Sequence, residues 1–360
     1  MTAIGGSTAS IPVRFPPGGK SLIWSIQVLR FVAALMVVYL HASFLAFTIT
    51  GSYGILTANL SELGNAGVDI FFVISGLIIA KVAPGRTAGE FMLSRIRRVV
   101  PIYFVFSVPS VLMLLGTTGF GWRNALATFG FLPATDVMTL PALHVGWTLC
   151  FEMLFYGCAA LVLLDRRWLF VLVAAYGVAS LLQPFGPLFR FVGNPIILEF
   201  LFGVAVAYAP RNRFGIWALP AGIVLLLAAG LTGTAPTAAP ALAADDGVRR
   251  VLVYGIPALM IVYGCLNIEA RESRWTYLGE ASYSLYLSHI LLIFPSFALW
   301  KMLHAPADLI VVVSVAGALL LAWRTHELVE KPISRMLKGG GIGSPRPALK
   351  ADALSGADGA

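Results

Sequence analysis

The sequence predicts an all-α fold: a polytopic integral membrane helical bundle of about ten transmembrane helices with both termini cytoplasmic. Of its 360 residues, 58% are hydrophobic and only 12% are charged, whereas a soluble globular domain carries about 25% charged residues. The apolar residues fall into blocks of about 17 to 25 residues, the length of helix that crosses a bilayer. A single soluble core would explain neither observation.

Ten apolar segments follow one another along the chain. The first begins near Leu22 and is full-length, which argues against a cleaved signal peptide. The predicted spans are 22–48, 66–82, 101–117, 143–164, 168–184, 194–209, 215–233, 250–268, 277–300 and 307–325. Together they form one membrane domain (21–335), between a flexible cytoplasmic tail (1–20) and a disordered cytoplasmic tail (336–360).

The Lys and Arg residues between the spans predict the topology, because cytoplasmic loops carry an excess of both. With the N-terminus inside, only Arg30 and Arg324 lie within or at the ends of spans. Eighteen lie inside, namely Arg14, Lys20, Lys81, Arg86, Arg95, Arg97, Arg98, Arg166, Arg167, Arg211, Arg213, Arg271, Arg274, Lys331, Arg335, Lys338, Arg346 and Lys350. Five lie outside, namely Arg123, Arg190, Arg249, Arg250 and Lys301. The net charge of +8 is therefore interpreted as a topological signal and not as a nucleic-acid-binding surface.

Ionisable residues inside the apolar segments are the first candidates for function. An Arg or Asp at mid-bilayer costs about 2.5–3.5 kcal/mol on the insertion scale, so such side chains should face the bundle interior and meet. Arg30 needs a carboxylate, which Glu152 or Asp69 can supply. The alternative is that such pairs only lock helices together or lie at headgroup depth. The ionisable residues inside the apolar segments are Arg30, His41, Asp69, Glu152, Glu199 and His289.

Arg30 and His41 belong to one segment and are eleven residues apart. In a helix this spacing returns to within about 20° of the same face, about 16 Å along the axis. A histidine is the natural proton acceptor at neutral pH, and a carboxylate on its second nitrogen would fix its tautomer. We predict that His41 is a general base and that Glu152 orients His41 or pairs with Arg30.

A basic run, Ser94 to Arg98, precedes the third span. Arg95 and Arg98 are three residues apart and share a face if the run is helical. Guanidinium groups bind phosphates bidentately, but positive residues at an inner span end also need no other role. In the second span, the small pair Ser75 and Gly76 would let a helix or a ligand approach the backbone closely.

These features together resemble the membrane-bound acyltransferase-3 family, whose first-helix signature is an arginine, ten residues, then a histidine. The matching motifs run from Gln27 to Pro332, and the opening Gln27-Val28-Leu29 looks most like the exopolysaccharide branch. They are Arg30 and His41; Gly67 through Gly76 with Asp69 and Ser75; Arg95 and Arg98 with Pro101 and Tyr103; Trp147, Thr148, Glu152, Phe155 and Tyr156; Leu278-Gly279, Ser282-Tyr283-Ser284, Tyr286-Leu287 and His289; and Glu330-Lys331-Pro332.

The resemblance implies an O-acyltransferase of the bacterial cytoplasmic membrane that uses acyl-CoA, most often acetyl-CoA, and no metal. The expected partners are acyl-CoA, a glycan acceptor, the lipid bilayer and polysaccharide assembly proteins. Arg95 and Arg98 would hold the phosphates while the pantetheine arm passes Ser75 and Gly76. His41 would act as general base or as a transient acyl carrier. Two alternatives stay open: a succinyl or longer acyl group moved to a small-molecule or lipid-linked glycoside, and a proton-coupled transporter or flippase.

Overall fold

The computed structural model describes residues 19–116, 119–133, 135, 139–236, 247–271 and 273–339. Within these ranges the regular structure is helical and contains no strand. The α-helices are α1 Gly19–Thr50, α2 Ala58–Glu62, α3 Ala66–Val82, α4 Ala88–Gly116, α5 Trp122–Phe129, α6 Trp147–Leu164, α7 Trp168–Leu181, α8 Pro187–Val192, α9 Ile197–Tyr208, α10 Ala218–Leu231, α11 Gly247–Arg250, α12 Ile256–Leu266, α13 Arg274–Glu280, α14 Ser282–Ile293, α15 Phe297–Leu303, α16 Ala307–Thr325 and α17 Lys331–Gly339. The predicted all-α class is confirmed.

The predicted count of ten crossings is not confirmed. In the described part of the chain, seven helical segments are long and apolar enough to cross a membrane, and an eighth results if α14 and α15, bent by 52°, form one span. The segments predicted at 168–184 and 215–233 are shorter apolar helices, Trp168–Leu181 and Gly215–Leu231. The seven are Trp24–Thr50, Ala58–Val82, Ala88–Gly116, His144–Leu164, Pro187–Tyr208, Gly247–Leu266 and Ala307–Leu337.

The two predicted tails fall mostly outside the described residues. Helix α1 begins at Gly19, inside the predicted tail 1–20. At the other end of the chain, α17 continues to Gly339, inside the predicted tail 336–360. The placement of both termini in the cytoplasm stays a prediction.

Helix α1 packs against several other helices of the bundle. It contacts α3, α12, α13, α14 and α16, and its residues contribute to all three apolar clusters of the core. Small side chains make this possible, because Ala33, Ala34, Ala42 and Ala46 are fully buried and let neighbouring helices approach closely. The helix that carries Arg30 and His41 therefore has several close neighbours, and part of its surface stays exposed.

Helices α3 and α9 pack with their backbones in close contact. A Cβ atom added at Gly76 would collide with the Phe200 carbonyl oxygen, and one added at Gly203 would collide with the Val73 carbonyl oxygen. Only glycine allows the two backbones to lie this close. Gly76 of the small pair in the second span thus serves a contact between helices.

Two short π-helical turns interrupt the regular helices, at Val251–Gly255 and His326–Glu330. Such insertions are rare and often lie at functional sites, because the extra residue redirects the side chains around it. The first follows Arg250, and the second ends at Glu330 of the Glu330-Lys331-Pro332 motif. Both residues take part in buried polar networks.

Candidate active site

The centre of the candidate site is a pair of histidines from α1 and α14. His41 Nδ1 lies 3.3 Å from His289 Nε2, and the two ring centroids are 5.1 Å apart. His41 is half-buried, whereas His289 is fully buried. The rings of Phe294 and Tyr286 lie next to the pair, with centroids 6.1 Å from His41 and from His289 respectively. The sequence identified His289 as an ionisable residue inside a span but assigned it no role.

Each histidine also faces a carbonyl oxygen one turn back in its own helix. His41 Nδ1 lies 2.9 Å from the Val37 oxygen, and His289 Nδ1 lies 3.0 Å from the Leu285 oxygen. These contacts hold both rings in fixed orientations. Both contacts of His41 use its Nδ1, and no hydrogen bond joins His41 to Glu152 within the described ranges.

Glu152 of α6 belongs to a different polar group. Its Oε1 accepts hydrogen bonds from the Ser75 hydroxyl, at 3.2 Å, and from the Tyr156 hydroxyl. The predicted cofactor-binding residue Ser75 is therefore a direct partner of the predicted catalytic residue Glu152. Tyr156 was noticed in the sequence only as part of an aromatic motif, although its spacing of four residues from Glu152 is a helical contact.

Arg30 lies near the Glu152 group without a direct ion pair. Its Nη1 donates to Gln27 Oε1 at 3.4 Å, and within the described ranges no carboxylate comes within ion-pair distance of it. Electrostatic attraction to Glu330 and Glu152 and repulsion from Arg98 act on its guanidinium. Neither role predicted for Glu152 appears as a direct contact among the described residues, and both stay predictions.

Arg95 and Arg98 lie in α4, which confirms that the basic run is helical. Arg95 is buried, with 8% of its surface exposed, whereas Arg98 is exposed. The Arg95 guanidinium interacts electrostatically with Tyr156 and Glu152 as well as with Arg98. The basic run therefore adjoins the Glu152 group and lies at the Arg30 end of the Arg30–His41 stripe.

Glu330 extends this polar region. Its Oε2 accepts a hydrogen bond from Ser284 Oγ at 2.6 Å and lies 2.8 Å from His326 Nδ1. Tyr283, beside Ser284, donates to the Val99 carbonyl oxygen of α4 at 3.0 Å. In the sequence Glu330 has no role beyond its motif. Its spacing of four residues from His326, however, is that of a contact on one helix face.

We use the name basic–acidic cluster for Arg30, Arg95, Arg98, Glu152 and Glu330. Helices α1, α4 and α6 and the π-helical turn at His326–Glu330 contribute these residues. Along α1 the cluster and the histidine pair are separated by about 16 Å, from the rise per residue. The site thus has a charged end and a neutral, histidine-containing end.

Gly76 does not open toward this region. Its Cα faces the backbone of Phe200 and Gly203 in α9, so the space beside it is filled by a neighbouring helix. Passage of a ligand beside Gly76 stays a prediction, and the structure gives Gly76 a packing role.

Asp69 is not a partner of Arg30. It forms a bidentate ion pair with Arg250, with Nε to Oδ1 at 3.0 Å and Nη2 to Oδ2 at 2.7 Å. Both side chains are buried, so Arg250, assigned from the sequence to an outer connection, is an interior residue. Glu199 is also fully buried and lies close to this ion pair. Of the two carboxylates that the sequence offers as a partner for Arg30, Asp69 is thus excluded, since sequence spacing does not show which helix lies opposite a residue.

Comparison with known proteins agrees with the motifs. The family model for acyltransferase 3, described as "Acyltransferase domain", matches residues 23–325. The exopolysaccharide production protein ExoZ of Rhizobium meliloti (strain 1021) is 31% identical over 304 residues, which cover 78% of this chain and 92% of that protein. Acyltransferase MdmB of Streptomyces mycarofaciens is 27% identical over 367 residues, which cover 87% of this chain and 92% of that protein. No solved structure matches the chain significantly.

Proposed function

The chain belongs to the acyltransferase-3 family, and from this membership we propose that it transfers an acyl group, most simply acetyl, from cytosolic acyl-CoA to a hydroxyl of a cell-surface or exported glycan. It would do so as a multi-pass protein of the bacterial cytoplasmic membrane. The single observation that carries the proposal is the arrangement of α1, which has His41 beside a second histidine and Arg30 within the basic–acidic cluster.

The basic–acidic cluster supports an acyl-CoA donor. Coenzyme A carries several phosphates, which guanidinium groups bind through charge-assisted, often bidentate hydrogen bonds. The exposed Arg98 is available for such contacts, and Arg95 lies one helical turn away on α4. Ser75, which hydrogen-bonds Glu152, would lie beside the more distal part of the donor.

The distance between Arg30 and His41 along α1 means that the two residues would have different roles. Because about 16 Å of helix lies between them, both cannot touch the reacting carbonyl carbon. Arg30 would hold a polar part of the donor, and His41 would act at the thioester. There His41 would take the proton of the acceptor hydroxyl as that oxygen attacks the acyl carbon.

The nature of the acceptor is supported by similarity. A relative named for exopolysaccharide production covers most of the chain, which favours a polysaccharide over a small-molecule glycoside. Polysaccharide assembly proteins would then be natural partners, since they would deliver the acceptor to the membrane domain.

The proposal is tested with purified, reconstituted protein, labelled acetyl-CoA and a glycan acceptor. We expect label to appear in ester linkage on the glycan, with release of the free thiol of coenzyme A. A transporter would leave the thioester intact, and that result would contradict the proposal.

The His41→Ala variant tests the catalytic assignment. It removes the proposed base, so transfer should fall by about 10²–10⁴-fold while the protein stays in the membrane. Transfer at the wild-type rate in this variant would overturn the assignment of His41.

A further inference from the structure

His289 is fully buried, and its hydrogen bonds determine how it can act. Its Nδ1 lies 3.0 Å from the carbonyl oxygen of Leu285. A carbonyl oxygen only accepts hydrogen bonds, so His289 Nδ1 must carry a hydrogen. In a neutral imidazole the other nitrogen, Nε2, then has a free lone pair.

This lone pair is directed at His41. His289 Nε2 and His41 Nδ1 are 3.3 Å apart, so His41 Nδ1 must be the donor of that contact. The Val37 carbonyl oxygen, 2.9 Å from the same Nδ1, requires a hydrogen there as well. Both neighbours therefore place the hydrogen of His41 on Nδ1 and leave its Nε2 lone pair free.

We propose that His289 is a positioning residue for His41, which selects Nε2 of His41 as the catalytic base and stabilises the positive charge that forms on His41 during acyl transfer. The inference rests on the proposed function. In serine hydrolases a carboxylate occupies the equivalent position beside the histidine. Here a neutral imidazole occupies it, and no carboxylate bonds either ring within the described part of the chain.

The burial of His289 explains why an imidazole suits this position. A carboxylate at this depth of a membrane domain would need a cation or several donors to offset its loss of hydration. A neutral imidazole accepts the same hydrogen bond with one nitrogen and satisfies its other nitrogen with a backbone carbonyl. His41 Nδ1–H therefore keeps an acceptor throughout the reaction.

The proposed step balances without any further reactant. The acceptor oxygen forms a bond to the acyl carbon while its proton passes to His41 Nε2. The bond between carbon and sulfur then breaks, and its electron pair leaves with the sulfur of coenzyme A. His41 Nε2 gives its proton to that thiolate, and His289 ends the cycle with the hydrogen that it had at the start.

Two substitutions of His289 separate positioning from packing. In His289→Gln the amide oxygen can accept the hydrogen bond from His41 Nδ1, whereas His289→Leu fills space without an acceptor. With full-length protein in nanodiscs, we expect His289→Leu to lower kcat about 100-fold with an unchanged KM for acetyl-CoA. His289→Gln should keep kcat within about tenfold of wild type. Wild-type kcat in His289→Leu, or equal losses in both variants, would overturn the proposal.

A spectroscopic measurement tests the hydrogen bond without using activity. The chain has only five histidines, so solid-state NMR of protein labelled with 15N-histidine can resolve them, and His41 is assigned with a His41→Gln sample. We expect neutral His41 to carry its hydrogen on Nδ1. A hydrogen on Nε2 would overturn the inference, even if His289→Leu did not fold. Failure of the proposed function would appear separately, as wild-type protein that leaves labelled acetyl-CoA intact.

Discussion

Arg30 and His41 show how one helix face can serve two kinds of chemistry. Their spacing places them on the same face, but their surroundings come from other helices. Arg30 interacts with Glu330 and Glu152, whereas His41 contacts the fully buried His289. A phosphate-containing donor would be stabilised at the first end, and a proton can be moved at the second without a buried carboxylate.

Arg98 is the single residue that we expect to contribute most directly to donor binding. Arg98→Gln should raise the KM for acetyl-CoA about tenfold, because a charge-assisted hydrogen bond to phosphate contributes roughly 1.5–3 kcal/mol. Steady-state kinetics at constant ionic strength measure this. Arg213→Gln is the matched control, since Arg213 is an exposed arginine that lies in another connection and stacks on Phe214. Equal KM values in the two variants would show that Arg98 does not bind the donor.

Among the helices, α1 and α14 carry the histidine pair, and each π-helical turn lies next to or includes one charged residue of a polar network. Arg250 immediately precedes the turn at Val251–Gly255, and Glu330 ends the turn at His326–Glu330. Glu330 reaches Ser284 of α14 across 46 residues of sequence. Regular 3.6-residue periodicity does not predict these positions, because a π-helical turn shifts every later side chain around the helix axis.

The packing of α3 against α9 can be tested by adding a single methyl group. Gly203→Ala places a Cβ on the Val73 carbonyl oxygen and 2.6 Å from the Leu77 nitrogen, so the two helices must separate. Overpacking of this kind costs about 1–3 kcal/mol, and we expect a lower midpoint in thermal unfolding. Gly177→Ala in α7 is the control, because no atom lies within 4 Å of its added Cβ. Equal midpoints for the two variants would show that the contact is not tight in solution.

The bundle contains a second polar region besides the candidate site. Asp69, Arg250 and Glu199 join α3, α11 and α9, while the basic–acidic cluster and the histidine pair lie along α1. Breaking one partner of a buried ion pair leaves an uncompensated charge, so the Asp69–Arg250 pair fixes the relative position of its helices more than it adds to net stability.

The number of crossings is a property of the whole molecule that cysteine labelling can test. In a background without Cys150, Cys158 and Cys265, single cysteines at Arg166 and Gly186 flank α7. If the chain crosses the membrane ten times, the two positions lie on opposite sides, with position 166 on the cytoplasmic side. A membrane-impermeant maleimide added to intact cells should then label only position 186. Labelling of both positions, or of neither, would mean that α7 does not cross.

Composition and helical spacing were enough to predict the all-α class, the face shared by Arg30 and His41, and the helical run that carries Arg95 and Arg98. These features depend on contacts within one helix, which periodicity reveals. The partners of these side chains could not be predicted in this way, because they come from distant parts of the chain.

The tertiary structure pairs His41 with His289 and not Glu152, Asp69 with Arg250 and not Arg30, and Glu152 with Ser75. His41 and His289 are 248 residues apart, so no local pattern connects them. Periodicity shows which face of a helix a side chain occupies, but the packing of the helices determines what lies opposite.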